Sequence, residues 1–360
     1  MRRACRVILL LLPLVVVHAQ DRTVLLAAHR AGRVDVLNPA TLQSLGSVKV
    51  LPLADGVASA PGGFIFLREG LAPDFDGCCA LYALDLKTRN MTKLLEPVSG
   101  VVVSPDGKHV ITQRGNVGIE SFDASSLQRE PGIARSIAPG VYGLGFSPDG
   151  RLLFGASNFP APTLDMLDFS ERKLLRRFTL PQGFTIVGAW VGNDYYLYGY
   201  RRASGQLWRV KADSFALETP VKINFPDPAQ ECQPREQAVL GSSGHLFLYE
   251  VFGSKGDRRV GCATKVPGGV FSIDPQTGRI LGHLASDLHF AWLISGTDGK
   301  ELYGVDVRDT NWTSVGLVRL DAATGETLAR RDLVSDVWFI TLATIPTEVL
   351  PLGKMEAATK

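Results

Sequence analysis

The stretch that decides the fold is Ser147-Pro148-Asp149-Gly150-Arg151, which leads into the apolar run Leu152-Leu153-Phe154. A near copy, Ser104-Pro105-Asp106-Gly107-Lys108, leads into His109-Val110-Ile111-Thr112. Proline presets φ for a turn, the aspartate side chain accepts a hydrogen bond from the nearby backbone, and glycine tolerates a positive φ. Each copy therefore predicts a tight hairpin turn followed by a β-strand.

The same turn recurs in degenerate form at residues 59–63, 191–194, 242–244 and 296–300. A second repeated unit is an alternating strand that ends in a polar turn. From Asn38 to Asp321 the mean period of this second unit is 47 residues, and the widest gap holds the insert near Cys232 to Cys262. This period is typical of one β-propeller blade. The seven copies of the second unit end at Asn38, Asp85, Asp123, Asp168, Lys211, Asp274 and Asp321.

Each period has room for four short strands. In the fourth period the pattern predicts strands over 143–147, 152–156, 163–168 and 174–179. No stretch of ten residues keeps a helical period, which argues against alternating helices and strands. A two-sheet sandwich gives no reason for seven similar periods, so we predict an all-β, seven-bladed β-propeller with four antiparallel strands per blade.

The two ends of the chain predict how the ring closes. Thr23–Ala28 and Val34–Leu37 begin the first blade without an inner strand, whereas Val337–Ala343 is a surplus strand. We expect the C-terminal strand to complete the N-terminal blade, because closure leaves no exposed inner edge.

The N-terminus has the pattern of a secretory signal: three arginines, the apolar run Val7–Val17, and the small-residue site Val17-His18-Ala19. The run is too short to span a bilayer, although an uncleaved anchor is the alternative. We predict a signal peptide over 1–19, a propeller over 20–350 and a disordered tail over 351–360. The mature protein is expected to be secreted or periplasmic, monomeric and without a membrane span.

The charges are nearly balanced, with 38 basic and 36 acidic residues and a formal net charge of +2. This balance gives no case for nucleic acid as a partner.

Signal removal takes away Cys5 and leaves Cys78, Cys79, Cys232 and Cys262. Exported proteins meet oxidising conditions, so pairing is expected. We favour a Cys232–Cys262 bridge across the irregular insert, with Cys78 and Cys79 as a vicinal bridge or as thiols. The alternative pairs each of these two with the insert.

Ser147–Phe154, together with Asp321-Ala322-Ala323-Thr324-Gly325-Glu326, resembles the YVTN-type, WD40-like propeller repeats of exported bacterial proteins. More distantly, the chain resembles the amine dehydrogenase heavy chains and the propeller lactonases. The resemblance covers nearly all of the mature chain and implies the propeller architecture. Residues 154–157 and 303–306 stand in place of the YVTN tetrapeptide, which weakens any transfer of function from this family.

Alignment on the turn glycine places one polar residue of each blade near the end of the second strand, beside the mouth of the central channel. We add His289 to these candidate binding residues, because the loop that holds it precedes an inner strand and so lies near the channel mouth. Such a ring can bind a polar small molecule or a peptide. The arginines of this ring can bind a carboxylate or a phosphate, and its acidic residues can bind a cation such as calcium. The simpler alternative is that these strand ends are only solvated. The ring comprises His29, Glu69, Arg114, Ser157, Arg201, Glu250 and Asp306.

No zinc, haem, nucleophile-elbow or phosphate-loop motif occurs in the sequence. The first hypothesis is therefore a non-catalytic binding or scaffold protein for a protein, peptide or polysaccharide, with no cofactor assigned. The second is a metal-assisted, lactonase-like hydrolase in which Glu69, Glu250 and Asp306 hold the cation and His289 or a water is the base. The third is the propeller subunit of a periplasmic dehydrogenase.

Overall fold

The computed structural model describes residues 21–29, 31–50, 54–60, 63–69, 79–98, 100–114, 118–131, 141–157, 162–182, 185–201, 204–224, 237–242, 244–250, 268–308, 315–333 and 337–350. These residues form seven antiparallel sheets and one short 3-10 helix, Thr347–Val349. Nowhere in this described part is there a helix with the length and apolar character needed to cross a bilayer.

The first two blades are built from the N-terminal strands. The first blade takes three strands from this part of the chain, and the second takes four in simple meander order. The strands are β1 (Asp21–His29), β2 (Arg33–Leu37), β3 (Ser44–Lys49), β4 (Ala54–Ala60), β5 (Phe64–Glu69), β6 (Leu81–Asp85) and β7 (Met91–Leu95).

Blades 3 and 4 follow. In blade 3 the described residues show a bridge between Phe122 and Arg129 at the outermost position. The strands are β8 (Gly100–Val103), β9 (His109–Arg114), β10 (Gly118–Asp123), β11 (Val141–Phe146), β12 (Leu152–Ser157), β13 (Thr163–Asp168) and β14 (Lys173–Thr179).

Blades 5 to 7 complete the ring. The outermost strand of blade 5 is split into two pieces, which both pair with its third strand. The strands are β15 (Thr185–Val191), β16 (Asp194–Arg201), β17 (Ser204–Lys211), β18 (Ala216–Leu217), β19 (Val221–Ile223), β20 (Gln237–Ser242), β21 (His245–Glu250), β22 (Val270–Ile273), β23 (Ile280–Leu284), β24 (Phe290–Ser295), β25 (Glu301–Val307), β26 (Val315–Asp321), β27 (Thr327–Leu333) and β28 (Val337–Pro346).

The ring is closed by the last strand. β28 pairs antiparallel with β1, with Val24 opposite Ala343, and becomes the innermost strand of the first blade. The seven innermost strands contact one another in cyclic order, from β28 through β4, β8, β11, β15, β20 and β24 back to β28. The predicted seven-bladed propeller and its mode of closure are confirmed.

Alternation within the strands builds the core, because successive side chains point to opposite faces of a sheet and so toward the two neighbouring blades. The seam between the last and first blades shows this, with Leu25, Tyr303, Val305, Leu317 and Ile340 buried together. A fully buried side chain of this size contributes about 1.5–3 kcal/mol. The seams are therefore the main source of stability.

The repeated turn folds as its residue types require. Ser104 Oγ donates to Asp106 Oδ1 at 2.6 Å, and the His109 amide donates to Ser104 Oγ at 3.0 Å. Gly107 has a φ of +72° and Gly150 a φ of +74°. These turns join the innermost strand to the second strand and position the start of the second strand.

Candidate functional site

The ring has two chemically different edges. We define the mouth edge as the edge where the second strands end, at residues 29, 69, 114, 157, 201, 250 and 307. We define the turn edge as the opposite edge, where the second strands begin and the third strands end. The sense of the second strands is the same in every blade, so each edge carries equivalent positions from all seven blades.

Five of the predicted residues end a second strand, as expected from the alignment, and the structure describes their backbone positions. His29 likewise ends β1, which is the second strand of the first blade. Asp306 is the next-to-last residue of β25, the second strand of blade 7. The five are Glu69 in β5, Arg114 in β9, Ser157 in β12, Arg201 in β16 and Glu250 in β21.

His29 is buried, with 1% of its surface exposed, and it bonds within the first blade. Its Nε2 lies 3.0 Å from Asp35 Oδ2, and Arg33 Nε lies 2.8 Å from Asp35 Oδ1. Burial raises the pKa of Asp35, but the hydrogen bond and charge of His29 and the charges of Arg33 and Arg331 bring that pKa below its ordinary value. Since Arg331 belongs to blade 7, the His29–Asp35 pair lies beside the seam between blades 7 and 1.

Asp306 is also buried, with 2% of its surface exposed. Its Oδ1 accepts a hydrogen bond from the backbone N–H of His289 at 3.0 Å, and its Oδ2 accepts one from the guanidinium of Arg330. Arg308 Nε lies 3.5 Å from the same oxygen. Gly316 leaves room for the guanidinium of Arg308 beside Asp306, since a Cβ at Gly316 would lie 3.2 Å from Arg308 Nη2.

His289 is partly exposed and lies beside Gly268, two residues before the start of β22. A Cβ on Gly268 would lie 2.8 Å from His289 Nδ1, and His283 Nε2 lies 2.7 Å from the Gly268 carbonyl oxygen. Of the predicted residues with described side chains, His289 and Asp306 are in contact, through the His289 backbone amide. Within the described ranges, no group of three or more His, Cys, Asp or Glu side chains could hold a metal ion.

Three buried carboxylates near the mouth edge were missed by the sequence analysis. Asp35, Glu120 and Asp165 are each the third residue of a third strand, β2, β10 and β13. Arg129 Nε donates to Glu120 at 2.8 Å, and Arg177 Nε donates to Asp165 at 2.6 Å. The signal was visible as a lone acid inside an apolar strand. The arginine partners of Glu120 and Asp165 lie further along in the same blade, and that of Asp35 lies two residues before it.

The turn edge consists of turns that satisfy their own polar groups. In blade 7, Asp321 Oδ1 accepts the amides of Ala323 at 3.0 Å and Thr324 at 2.8 Å. In blade 6, Asp274 binds the Gln276 amide and the Thr277 hydroxyl in the same way. Hydrogen bonds such as these hold the pKa of the turn aspartates below the ordinary value.

Cys79 is the cysteine that the described residues include, and it is buried with a φ of +93°. Cys78, Cys232 and Cys262 lie outside the described residues, so the expected bridge between Cys232 and Cys262 stays a prediction.

Comparison with known proteins shows the architecture alone. No family model matches the sequence. No curated protein matches it either. The chain is similar to Kuenenia stuttgartiensis hydrazine synthase, with a TM-score of 0.60 and 13% identity over 81% of this chain and 90% of that chain.

Two structures from Pyrococcus are also similar. The β-propeller domain of the trilobed protease from Pyrococcus furiosus gives a TM-score of 0.54 and 14% identity over 79% of this chain and 85% of that chain. The Pyrococcus horikoshii acylaminoacyl peptidase gives 0.52 and 13% over 79% of this chain and 46% of that chain. At such low identity only the fold is shared: this protein is a seven-bladed β-propeller, and its neighbours differ in activity.

Proposed function

We propose that this chain is an exported, non-catalytic binding module that holds a protein, peptide or polysaccharide partner at its mouth edge. The observation that carries the proposal is the contrast between the two edges. At the turn edge, aspartates such as Asp85 and Asp274 accept hydrogen bonds from their own turns. A surface of this kind offers few groups for recognition.

The mouth edge carries the long connections. Residues 70–80 join β5 to β6, residues 224–236 join β19 to β20, and residues 251–269 join β21 to β22. Connections at the turn edge are short, as between Val191 and Asp194. Binding residues are concentrated on loops that a rigid scaffold positions, so the mouth edge is the better recognition surface.

The hydrolase alternative requires Asp306, Glu69 and Glu250 to share one cation. The carboxylate of Asp306 already accepts the His289 amide and bonds to Arg330. A carboxylate that is neutralised by a guanidinium competes poorly for a divalent ion. This geometry favours a binding role over metal-assisted hydrolysis.

Export and the YVTN-type relationship belong to the same proposal, and the signal over 1–19 supports them. Residues 1–20 lie outside the described part of the chain. N-terminal sequencing of protein recovered from the exported fraction tests this step. We expect the mature chain to start at Gln20, and an intact N-terminus would contradict cleavage.

Site-specific photo-crosslinking tests the partner site. We would place the crosslinker at Arg308 or Asp332, which are exposed near the mouth edge, and at Lys87 or Thr324 on the turn edge. We expect one partner to be captured from the mouth edge alone. Equal capture from both edges would contradict the proposal.

Elemental analysis of the purified protein separates binding from metal-assisted hydrolysis. The proposal expects the melting temperature to be the same before and after treatment with chelator. A stoichiometric divalent ion whose removal lowers the melting temperature would favour the hydrolase instead.

A further inference from the structure

We infer that the mouth end of the central channel holds an apolar side chain of a protein or peptide partner, because Trp292 and Phe339 form an aromatic pair there and the other five blades place small residues at the same level. The inference rests on the proposed function and favours a protein or peptide partner over a polysaccharide.

The register of the sheets defines this level of the channel. In each blade, one residue of the innermost strand lies opposite the residue that comes just before the predicted ring residue of the second strand. From blade 1 to blade 7 these residues are Phe339, Gly56, Gly100, Gly143, Thr185, Ala238 and Trp292. Five of the seven are small, and the two aromatic ones belong to neighbouring blades.

β-Bulges lie directly beside the two aromatic residues. The pairing shifts by one residue between Phe290 and Trp292 in blade 7, and between Ala28 and His29, beside Phe339, in blade 1. A bulge bends its strand and turns the neighbouring side chains away from the regular alternation. Both aromatic side chains therefore leave their strands at a point where the sheet is distorted.

The two rings reach each other from different seams. Trp292 packs on the seam between blades 7 and 1, and Phe339 packs on the seam between blades 1 and 2. Their ring centroids are nevertheless 4.4 Å apart, with the ring planes inclined by 45°.

This contact lies on the channel side of the first blade. β28 separates the two seams, and its outer edge is occupied by its pairing with β1. Side chains from the two faces of β28 therefore meet past its inner edge, which borders the channel. Both rings are partly exposed, so the pair presents aromatic surface to the channel.

Glycines leave space across the channel from this pair. Gly100 belongs to blade 3, and a Cβ added there would meet no described atom within 4 Å. Gly56 and Gly143, in the two blades beside it, have no side chain at this level. The backbone of blades 2 to 4 therefore leaves room for a side chain that enters from the mouth edge.

The residue types of the channel wall define what fits. Asp55 in β4 is the one charged residue of the seven innermost strands as the structure describes them. Each hydroxyl of a sugar ring that leaves water needs a hydrogen-bond partner, and the aromatic pair offers a single donor, the indole N–H of Trp292. An aromatic or aliphatic side chain needs no such partner and gains from leaving water.

Fluorine NMR of the full mature chain labelled with 5-fluorotryptophan tests this inference. Trp292→Phe identifies the Trp292 resonance by its absence. The probes are N-acetyl-phenylalaninamide, N-acetyl-alaninamide and cellobiose, each added up to about 20 mM, which detects dissociation constants in the millimolar range. We expect the phenylalanine probe alone to shift the Trp292 resonance, and to do so saturably.

Two variants test the two walls of the site. Phe339→Ala is expected to weaken binding by about threefold or more, because half of the aromatic surface is lost. Gly100→Leu is expected to weaken binding because its side chain takes the space across the channel, and it removes no packed group. Phe215→Ala is the matched control, since Phe215 is a partly exposed aromatic residue at the turn edge of blade 5. Melting temperatures show that each variant is folded.

The absence of any response to the phenylalanine probe would overturn the inference, as would binding that Gly100→Leu and Phe339→Ala leave unchanged. A response to cellobiose that equals the response to the phenylalanine probe would overturn the choice of a peptide side chain. Each of these results would leave the proposed function standing if a partner is still captured from the mouth edge. Loss of that capture, by contrast, would remove the proposed function itself.

Discussion

Single residues near the mouth edge show how this fold places charge inside a seam. Asp165 is 1% exposed and is bonded bidentately by Arg177, at 2.6 and 2.8 Å, while the guanidinium stays partly in water. A buried charge is tolerated only with such a partner, since the loss of one member leaves the other uncompensated. The pair therefore fixes the outermost strand of blade 4 against its third strand.

We predict that Asp165→Asn lowers the free energy of unfolding by about 1–3 kcal/mol, because the charge-assisted bonds are lost while the site stays buried. Chemical denaturation at neutral pH measures the change. The matched control is Glu326→Gln, an exposed position where a change within about 0.5 kcal/mol is expected. Equal stability of Asp165→Asn and the control would contradict this reading of the pair.

Five of the turns that follow a third strand repeat one design. Asp85, Asp123, Asp168, Asp274 and Asp321 each end or follow a third strand and accept amides of the turn. Hydrogen bonding to the charged form lowers the pKa of each of these carboxyls below its ordinary value. The ionised state is therefore the one that stabilises the turn.

The sign of the pH dependence follows from these lowered pKa values. The stabilisation is complete above the ordinary aspartate pKa of about 4 and is lost as pH falls through the lower folded value. We predict that the melting temperature is flat from pH 7 to about pH 5 and falls steeply below about pH 4. Differential scanning calorimetry across this range measures it.

Asp168→Asn is expected to lower the melting temperature at pH 7 and to reduce the loss on acidification. The exposed Asp287→Asn serves as control and should leave the whole profile unchanged. An acid profile of Asp168→Asn identical to that of the parent would refute the role of the turn carboxylates.

At the scale of the molecule, the first and last blades are joined by more than the pairing of β28 with β1. Arg331 Nη1 donates to the Leu42 carbonyl at 2.9 Å, and Arg319 Nη1 donates to the Ala40 carbonyl at 2.9 Å. Val349 and Leu350 pack on the core between the first and second blades. The C-terminal residues therefore stabilise two seams together.

We predict that a chain ending at Leu333 fails to form a stable monomer, because β1 loses its innermost neighbour and exposes a long apolar edge. Size-exclusion chromatography and thermal melting test this. A chain ending at Leu350 is the control and should behave as the parent does. A monomeric Leu333 truncation with an unchanged melt would show that closure contributes little.

The inner ring also limits side-chain size. A Cβ on Gly241 would lie 1.6 Å from the Trp190 carbonyl oxygen, so β15 and β20 touch through this glycine. We predict that Gly241→Ala destabilises the protein by more than about 2 kcal/mol, because the backbone of β15 must shift. Gly100→Ala, on another inner strand, should fold with near-parent stability under the same denaturation assay.

Much of the fold could be predicted because its determinants are local. Asp149 with Gly150 specifies a turn, and the alternation of Leu164, Met166 and Asp168 specifies a strand. The predicted strands 152–156 and 163–168 agree with β12 and β13 to within a residue. The spacing of such units was enough to count blades.

The site could be predicted only in part. Strand ends such as Arg114 and Glu250 were located, since register follows from the turn glycine. The hydrogen bond from Arg330 to Asp306 could not be predicted from the sequence. The two residues approach each other only because β25 and β27 pair on either side of Gly316 in β26. The lowered pKa of Asp35 could not be predicted either, because one of the charges that lower it belongs to Arg331, near the other end of the chain.

The sequence by itself determined the class of fold, the number of blades, the turn chemistry and which strand closes the ring, because each depends on hydrogen bonding and alternation within a few residues. Only the tertiary structure decided which charges are buried and paired. Such pairs form between strands of one folded blade, as Arg177 of β14 does with Asp165 of β13. Burial removes water there, and the partner arginine must supply the compensating charge. The contrast between the mouth edge and the turn edge therefore became visible only in the tertiary structure.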